Sequence, residues 1–222
     1  MRRVSGGRQR ESEREREKEA VARAARHLRS GPILLHVHGH FARSTLRRDH
    51  RLPLPYRIAT LVDLRDARGR FLLLRRKKAP NQGLCSPIGG KLDMPSGESP
   101  AACARRETLE EVGLDIPIER FHLLGLISET AFEGRGHWLI FYYRVKGSVE
   151  FTPTETPDGW LDWHEPQEID KLPIPETDRR IIWPLVLKHD PPPHGENPGF
   201  FAVHIDCTGP EGTDLAIRVE QG

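Results

Sequence analysis

The chain has 222 residues, 36% of them hydrophobic and 30% charged, with a formal net charge of +2. That is room for one domain of ordinary size with extensions. No apolar run approaches the length of a membrane span and the first residues lack the apolar stretch of a signal peptide, which sets a membrane role aside. Cys85, Cys103 and Cys207 are odd in number and form no C-x-x-C pair, so free thiols in a reducing cytoplasm are the simplest reading.

Charge is uneven along the chain. Residues 1 to 30 hold ten Lys or Arg against five Glu, a net of +5, which leaves −3 for the remainder. The first half of this tail is almost without apolar residues and cannot bury enough surface to offset the entropy of ordering, so residues 1–30 read as a flexible charged extension. The Ala-rich run from Ala20 to Leu28 favours helix within it. Its interspersed glutamates dilute any basic field, and a nucleic-acid partner is disfavoured. Residues 31–54 read as an arm or connecting segment. His36, His38 and His40 alternate there and would share one face of a strand, but no thiolate or clear carboxylate accompanies them, and solvent-facing histidines explain the pattern as well as a metal site does.

From Arg57 the signals become regular. Arg57 to Leu64 and Phe71 to Arg75 read as strands joined by the turn Asp66-Ala67-Arg68-Gly69, a predicted hairpin. Gly83, Gly89 and Gly90 punctuate the loop that follows. Ser99 is a good N-cap, Pro100 fits the first helical position and Gly113 suits the C′ position, so a helix is predicted from about Pro100 to Val112. At about 100° per residue, with Ala101 as zero, Glu107, Glu110 and Glu111 fall near 240°, 180° and 280° while Thr108 and Val112 stay near zero. Three carboxylates therefore share one face. Crowding them unpaired costs stability, and a hard divalent cation with oxygen ligands is a natural reason for doing so. Phe121 to Ser128 and Trp138 to Val145 form a further strand pair, Trp160 to Trp163 begins another strand, and Asp178 to His189 reads as helical with Pro184 forcing a kink or second start. The segments GFFAVHIDC and LAIRV, separated by TGPEGT, read as a terminal hairpin entered through the loop DPPPHGENP. Periodicity alone gives an α+β class.

The stretch from Gly90 to Leu114 resembles the signature box of the Nudix hydrolases. From Glu98 onward the match is complete: seven residues, Arg106-Glu107, two residues, Glu110-Glu111, Val112, Gly113 and an aliphatic Leu114. Between Gly90 and Glu98 lie seven residues where the family usually has five. The resemblance implies an α+β Nudix fold, a mixed β-sheet sandwiched between helices, over residues 55–190, with the charged N-terminal extension and a C-terminal β-hairpin in residues 191–222. It implies a metal-dependent pyrophosphohydrolase that cleaves a nucleoside diphosphate linked to another group, a small-molecule nucleotide substrate, and Mg²⁺ or Mn²⁺ as cofactor. Glu107, Glu110 and Glu111 match the metal-binding positions and Gly90 one whose carbonyl joins them. Arg106 orients a neighbouring carboxylate, and Glu98 is a supporting acid; these five side chains are the candidate catalytic set.

Several members of the family take a further acid from a late loop. Glu155 and Asp158 are the candidates, with Glu155 favoured. Arg76, Lys77, Lys78 and Lys91 are candidate phosphate contacts, and Phe132 and Trp138 candidate base-stacking residues. Cys85-Ser86 stands where oxidised-purine-nucleotide sanitisers have Trp-Asn, which weakens that substrate assignment. The competing functional class is a Nudix-fold sensor that holds a nucleotide without turnover, and the intact carboxylate set argues against it.

Overall fold

The computed structural model describes residues 54–79, 81–189, 199–209 and 215–221. The helix expected over Ala20 to Leu28, the strand from Ile33 to His38 with the three alternating histidines, and the loop DPPPHGENP lie outside these residues. Two sheets carry the fold. The larger has the order β1 (Tyr56–Asp63), β5 (Gly136–Val145), β4 (Phe121–Phe132), β8 (Phe201–Asp206), β9 (Ala216–Gln221). The smaller has the order β3 (Cys85–Ser86), β2 (Phe71–Arg76), β7 (Gly159–His164), β6 (Thr154–Glu155). Parallel pairing of β1 with β5 and of β4 with β8 beside the antiparallel β4–β5 hairpin makes the larger sheet mixed.

The continuous apolar run of β2 follows from its position between two cores. Phe71 and Leu73 point into a cluster with Leu124, Ile127, Phe201 and the C-terminal helical segment, while Leu72 and Leu74 point into a second cluster with Val62, Ile88, Ala104 and Tyr143. A strand buried on both faces loses the polar alternation of an edge strand. Helix α1 (Pro100–Val112) closes the second cluster, and a π-helical turn (Asp178–Ile182) running into α2 (Trp183–Lys188) closes the first. Pro184 sits in the first turn of α2, where its missing N–H is harmless, so it starts a helix rather than breaking one.

The hairpin expected between β1 and β2 does not form. Its turn is present, with Asp66 Oδ1 accepting from the N–H groups of Arg68 and Arg70 at 2.9 Å each, but the ladder stops after Leu72 N–H donates to Leu64 C=O at 3.0 Å. β1 instead pairs along its length with β5, from Tyr56 opposite His137 to Asp63 opposite Arg144. Its other edge takes the glycine loop: Thr60 N–H donates to Gly90 C=O at 2.8 Å and Val62 N–H to Ile88 C=O at 2.9 Å. The terminal hairpin does form, and its first strand is also a full member of the larger sheet, with Phe201, Val203 and Ile205 buried against β4. All three cysteines are free thiols, two of them buried. Among the described residues no helix is long and apolar enough to cross a membrane.

Candidate functional site

Helix α1 begins and ends where its capping residues dictate. Ser99 Oγ accepts from Ala102 N–H at 3.3 Å, and Gly113, at φ 77°, turns its N–H back to Leu109 C=O at 2.9 Å. Cys103, Ala104 and Thr108 are buried against the sheet, which leaves the acidic face toward the loop pinned on the edge of β1. Gly90, having no side chain, leaves room for that approach. A Cβ built there would lie 2.2 Å from Glu107 Oε1 and 2.3 Å from its Cδ, so the carboxylate rests directly on the glycine backbone. Gly89 N–H donates to Glu111 Oε2 at 3.0 Å, and the Cys103 thiol lies 3.4 Å from Thr60 Oγ1 under the same loop.

Arg106 ties these carboxylates together. It grips Glu98 through two charge-assisted bonds, Nε to Oε1 at 2.8 Å and Nη2 to Oε2 at 2.9 Å. It also donates to Glu107 Oε1 at 2.7 Å, Glu110 Oε2 at 3.0 Å and the Lys91 carbonyl at 3.1 Å. The guanidinium holds the Glu98 carboxyl at about 2, well below the usual range, and Asp93 N–H, donating to Oε2 at 2.8 Å, helps. The two extra residues ahead of Glu98 are absorbed by an exposed turn: Ser96 Oγ and Glu98 N–H both donate to Asp93 C=O, and Gly97 N–H to Met94 C=O. Glu98 returns from that turn into the grip of Arg106.

The helical acids have different surroundings. Burial raises Glu107, against the pull of Arg106, with Glu110 and Glu98 adding to the rise. Burial pushes Glu111 up to about 7; Gly89 N–H and Arg76 oppose it, and the charges of Glu107 and Asp158 reinforce it. Glu110 is more than half exposed. Among the described residues no three His, Cys, Asp or Glu side chains converge as a ready metal cage. Arg106 spans Glu107 and Glu110, and Gly89 N–H holds Glu111, each carboxylate keeping one oxygen outside these bonds. The donor set itself, three carboxylates and the Gly90 carbonyl, is all oxygen, and crowded, desolvated acids suit a hard divalent cation.

A cleft of about 480 Å³ opens beside this face. Glu107, Gly89, Gly90, Lys91 and Arg76 line one part of it, and Phe132, Trp138 and Ile140 another. Lys77 and Lys78 turn elsewhere, to Glu155 and to Asp158. Of the two late-loop acids, Glu155 is the more exposed, while Asp158 is the one whose charge acts on Glu111. Sequence reasoning passed over Glu129 and Asp178, which are buried and also line the cleft. For Glu129 there was a signal, an acid two residues after Ile127 on the core-facing side of β4.

Comparison with known proteins shows the fold and the family. The chain is 30% identical over 122 residues to an oxidized purine nucleoside triphosphate hydrolase of Danio rerio, covering 54% of this chain and 73% of that one. It is 29% identical over 116 residues to the uncharacterized Nudix hydrolase YvcI of Bacillus subtilis (strain 168), covering 51% and 69%. The fold is similar to that of the MutT protein from Bacillus halodurans, with a TM-score of 0.57 at 24% identity, over 74% of this chain and 97% of that one. The family profile of the NUDIX domain matches residues 55–183, and with that match spanning more than half of its length the chain belongs to the Nudix hydrolase family.

Proposed function

We propose that the protein cleaves the pyrophosphate linkage of a nucleoside diphosphate carrying a further group, with a nucleoside triphosphate as the first class to try. The observation that carries this reading is the edge of the cleft itself. Half-buried Glu107 rests on Gly90 there, Glu111 is fastened to Gly89, and the cationic Arg76 and Lys91 stand alongside. The zebrafish relative's action on a nucleoside triphosphate supports the choice of class.

Glu107, Glu110 and Glu111, with the Gly90 carbonyl, would hold Mg²⁺ or Mn²⁺. Bound there, the ion would neutralise phosphoryl charge and lower the pKa of an attacking water. The chain's own residues do the rest. Arg76 and Lys91 attract the phosphate oxygens, and Trp138 and Phe132 offer flat apolar surface to the base. Arg106 is a positioning residue that fixes Glu107 and Glu110 through the Glu98 anchor. Asp158 is the late-loop acid of choice, because its field reaches Glu111.

The test is a panel of nucleoside triphosphates, nucleotide sugars and dinucleotides with Mg²⁺, reading the mononucleotide product. Release of a nucleoside monophosphate from one class, lost on adding chelator, is the expected result. Tight binding without turnover of any member would place the protein in the sensor class instead.

A further inference from the structure

The C-terminal hairpin lies beyond residue 183, where the family match ends, and no residue of it lines the cleft. Its second strand, β9, is the last strand of the larger sheet and pairs on one side, with β8. All six of its residues are exposed. At the opposite end of the same sheet the glycine loop covers the edge of β1 through the bonds from Thr60 and Val62 N–H, and the outer strands of the smaller sheet, β3 and β6, are two residues long each. Among the described residues β9 is therefore the long strand whose outer row of backbone N–H and C=O groups is open to a further strand.

The side chains of β9 are of two kinds. Ile217 and Val219 stand opposite the buried Ile205 and Val203, so they carry the apolar face of the sheet past its edge, at 46% and 50% exposure. Arg218 stands opposite His204 on the other face, and Glu220, the extra residue that a register shift leaves in β9, is its ion-pair partner within the strand. Sheet edges are commonly kept apart by charges of one sign, Lys above all, because these repel a second copy of the same edge. The edge here carries both signs, two residues apart.

That spacing is self-complementary. Two copies of β9 paired antiparallel about a two-fold axis perpendicular to the sheet keep both faces of the sheet continuous when the axis passes through a residue, since an offset of one would set every side chain opposite one from the other face. With the axis at Val219, each Arg218 meets a Glu220 of the other copy and Val219 meets Val219. With the axis one residue to either side, Arg218 meets Arg218 or Glu220 meets Glu220, and like charges directly opposite are destabilising. We propose that β9 pairs with the β9 of a second copy of this chain in that one register, joining the two five-stranded sheets into one continuous sheet. The backbone groups of the open edge find partners, and Ile217 and Val219 lose contact with water. A single strand pair makes an interface at the small end of specific ones, so the dimer is reversible, with a Kd on the order of 100 μM. Both clefts stay open, because neither β8 nor β9 contributes to their walls.

The test is sedimentation velocity on the full chain from about 10 μM to about 1 mM, over which the unmodified protein should pass from monomer to dimer. Arg218→Glu sets Glu against Glu in both symmetric pairs and should weaken the dimer by about tenfold; Glu220→Arg should do the same by setting Arg against Arg. The chain carrying both substitutions regains opposite charges with the signs exchanged. Its Kd should return to within about threefold of the unmodified value, a rescue that a merely damaged strand would not give. Amide hydrogen exchange over residues 216–221 of the unmodified chain should also slow as concentration rises, a comparison that needs no variant. A monomer throughout the range, a dimer indifferent to Arg218→Glu, or a double variant no better than either single one would overturn the proposal.

Discussion

Replacing Glu98 with Gln removes one charge from the anchor of Arg106 and nearly nothing from its shape. The native carboxyl is held at about 2 against an ordinary 4.5. A depression of that size corresponds to roughly 3 kcal/mol of stability at neutral pH. The Arg106 side chain is 33% exposed, and solvent screening reduces the figure to about 1–2 kcal/mol. The amide also turns an N–H toward either Arg106 or the Asp93 N–H, both of which need an acceptor. At about 2–4 °C per kcal/mol, the variant should melt roughly 2–8 °C lower at pH 7. The pH dependence is the sharper readout. A carboxyl with a lowered folded pKa contributes stability above its unfolded value, and that contribution is lost as pH falls through the folded one. The gap between the native chain and the variant should therefore be constant above about pH 5 and shrink toward pH 2. Urea unfolding at several pH values measures it. Equal stability at pH 7, or a gap that does not narrow in acid, would refute the view of Glu98 as the anchor of this cluster.

Gly90→Ala should lower kcat by about 100-fold, because the new methyl would occupy the place of the Glu107 carboxylate and force it out of reach of the loop; steady-state kinetics with a melting curve separates this from global unfolding. Glu129 and Asp178 have folded pKa values raised to about 8 and about 7. The stability they confer is fully present below the unfolded values near 4, and it declines as pH rises through the folded ones, by about 1.4 kcal/mol per pH unit for each titrating proton. Unfolding of the native chain compared with Glu129→Gln should show this decline between about pH 5 and 8, and parallel profiles for the two would contradict it.

What could be read from the sequence was local. Ser99, Pro100 and Gly113 mark the bounds of α1 because caps act within a few residues, and the loop between β4 and β5 is short enough for pairing to be guessed. The partner of β1 was not readable. Its turn to β2 looked like a hairpin, but β5, more than seventy residues away, provides the full ladder, and β2 is drawn into the second sheet by the two cores it must fill. Within the site, the shared face of the three acids follows from helical spacing, whereas the span of Arg106 across Glu98, Glu107 and Glu110 depends on where an exposed turn delivers Glu98. The bearing of Asp158 on Glu111 and the meeting of Glu129 with Asp178 depend on contacts between distant elements, to which spacing along the chain gives no clue.

The proposed function of the box carboxylates is metal-dependent cleavage of a pyrophosphate linkage. It is tested most directly by following a nucleoside triphosphate by phosphorus NMR, with Mg²⁺ and with excess chelator, for the native chain and for Glu111→Gln. The expected spectra show a nucleoside monophosphate forming only with Mg²⁺ and the native chain, with the variant slower by about 100-fold or more. Undiminished turnover in chelator, or by the Glu111→Gln chain, would contradict the account.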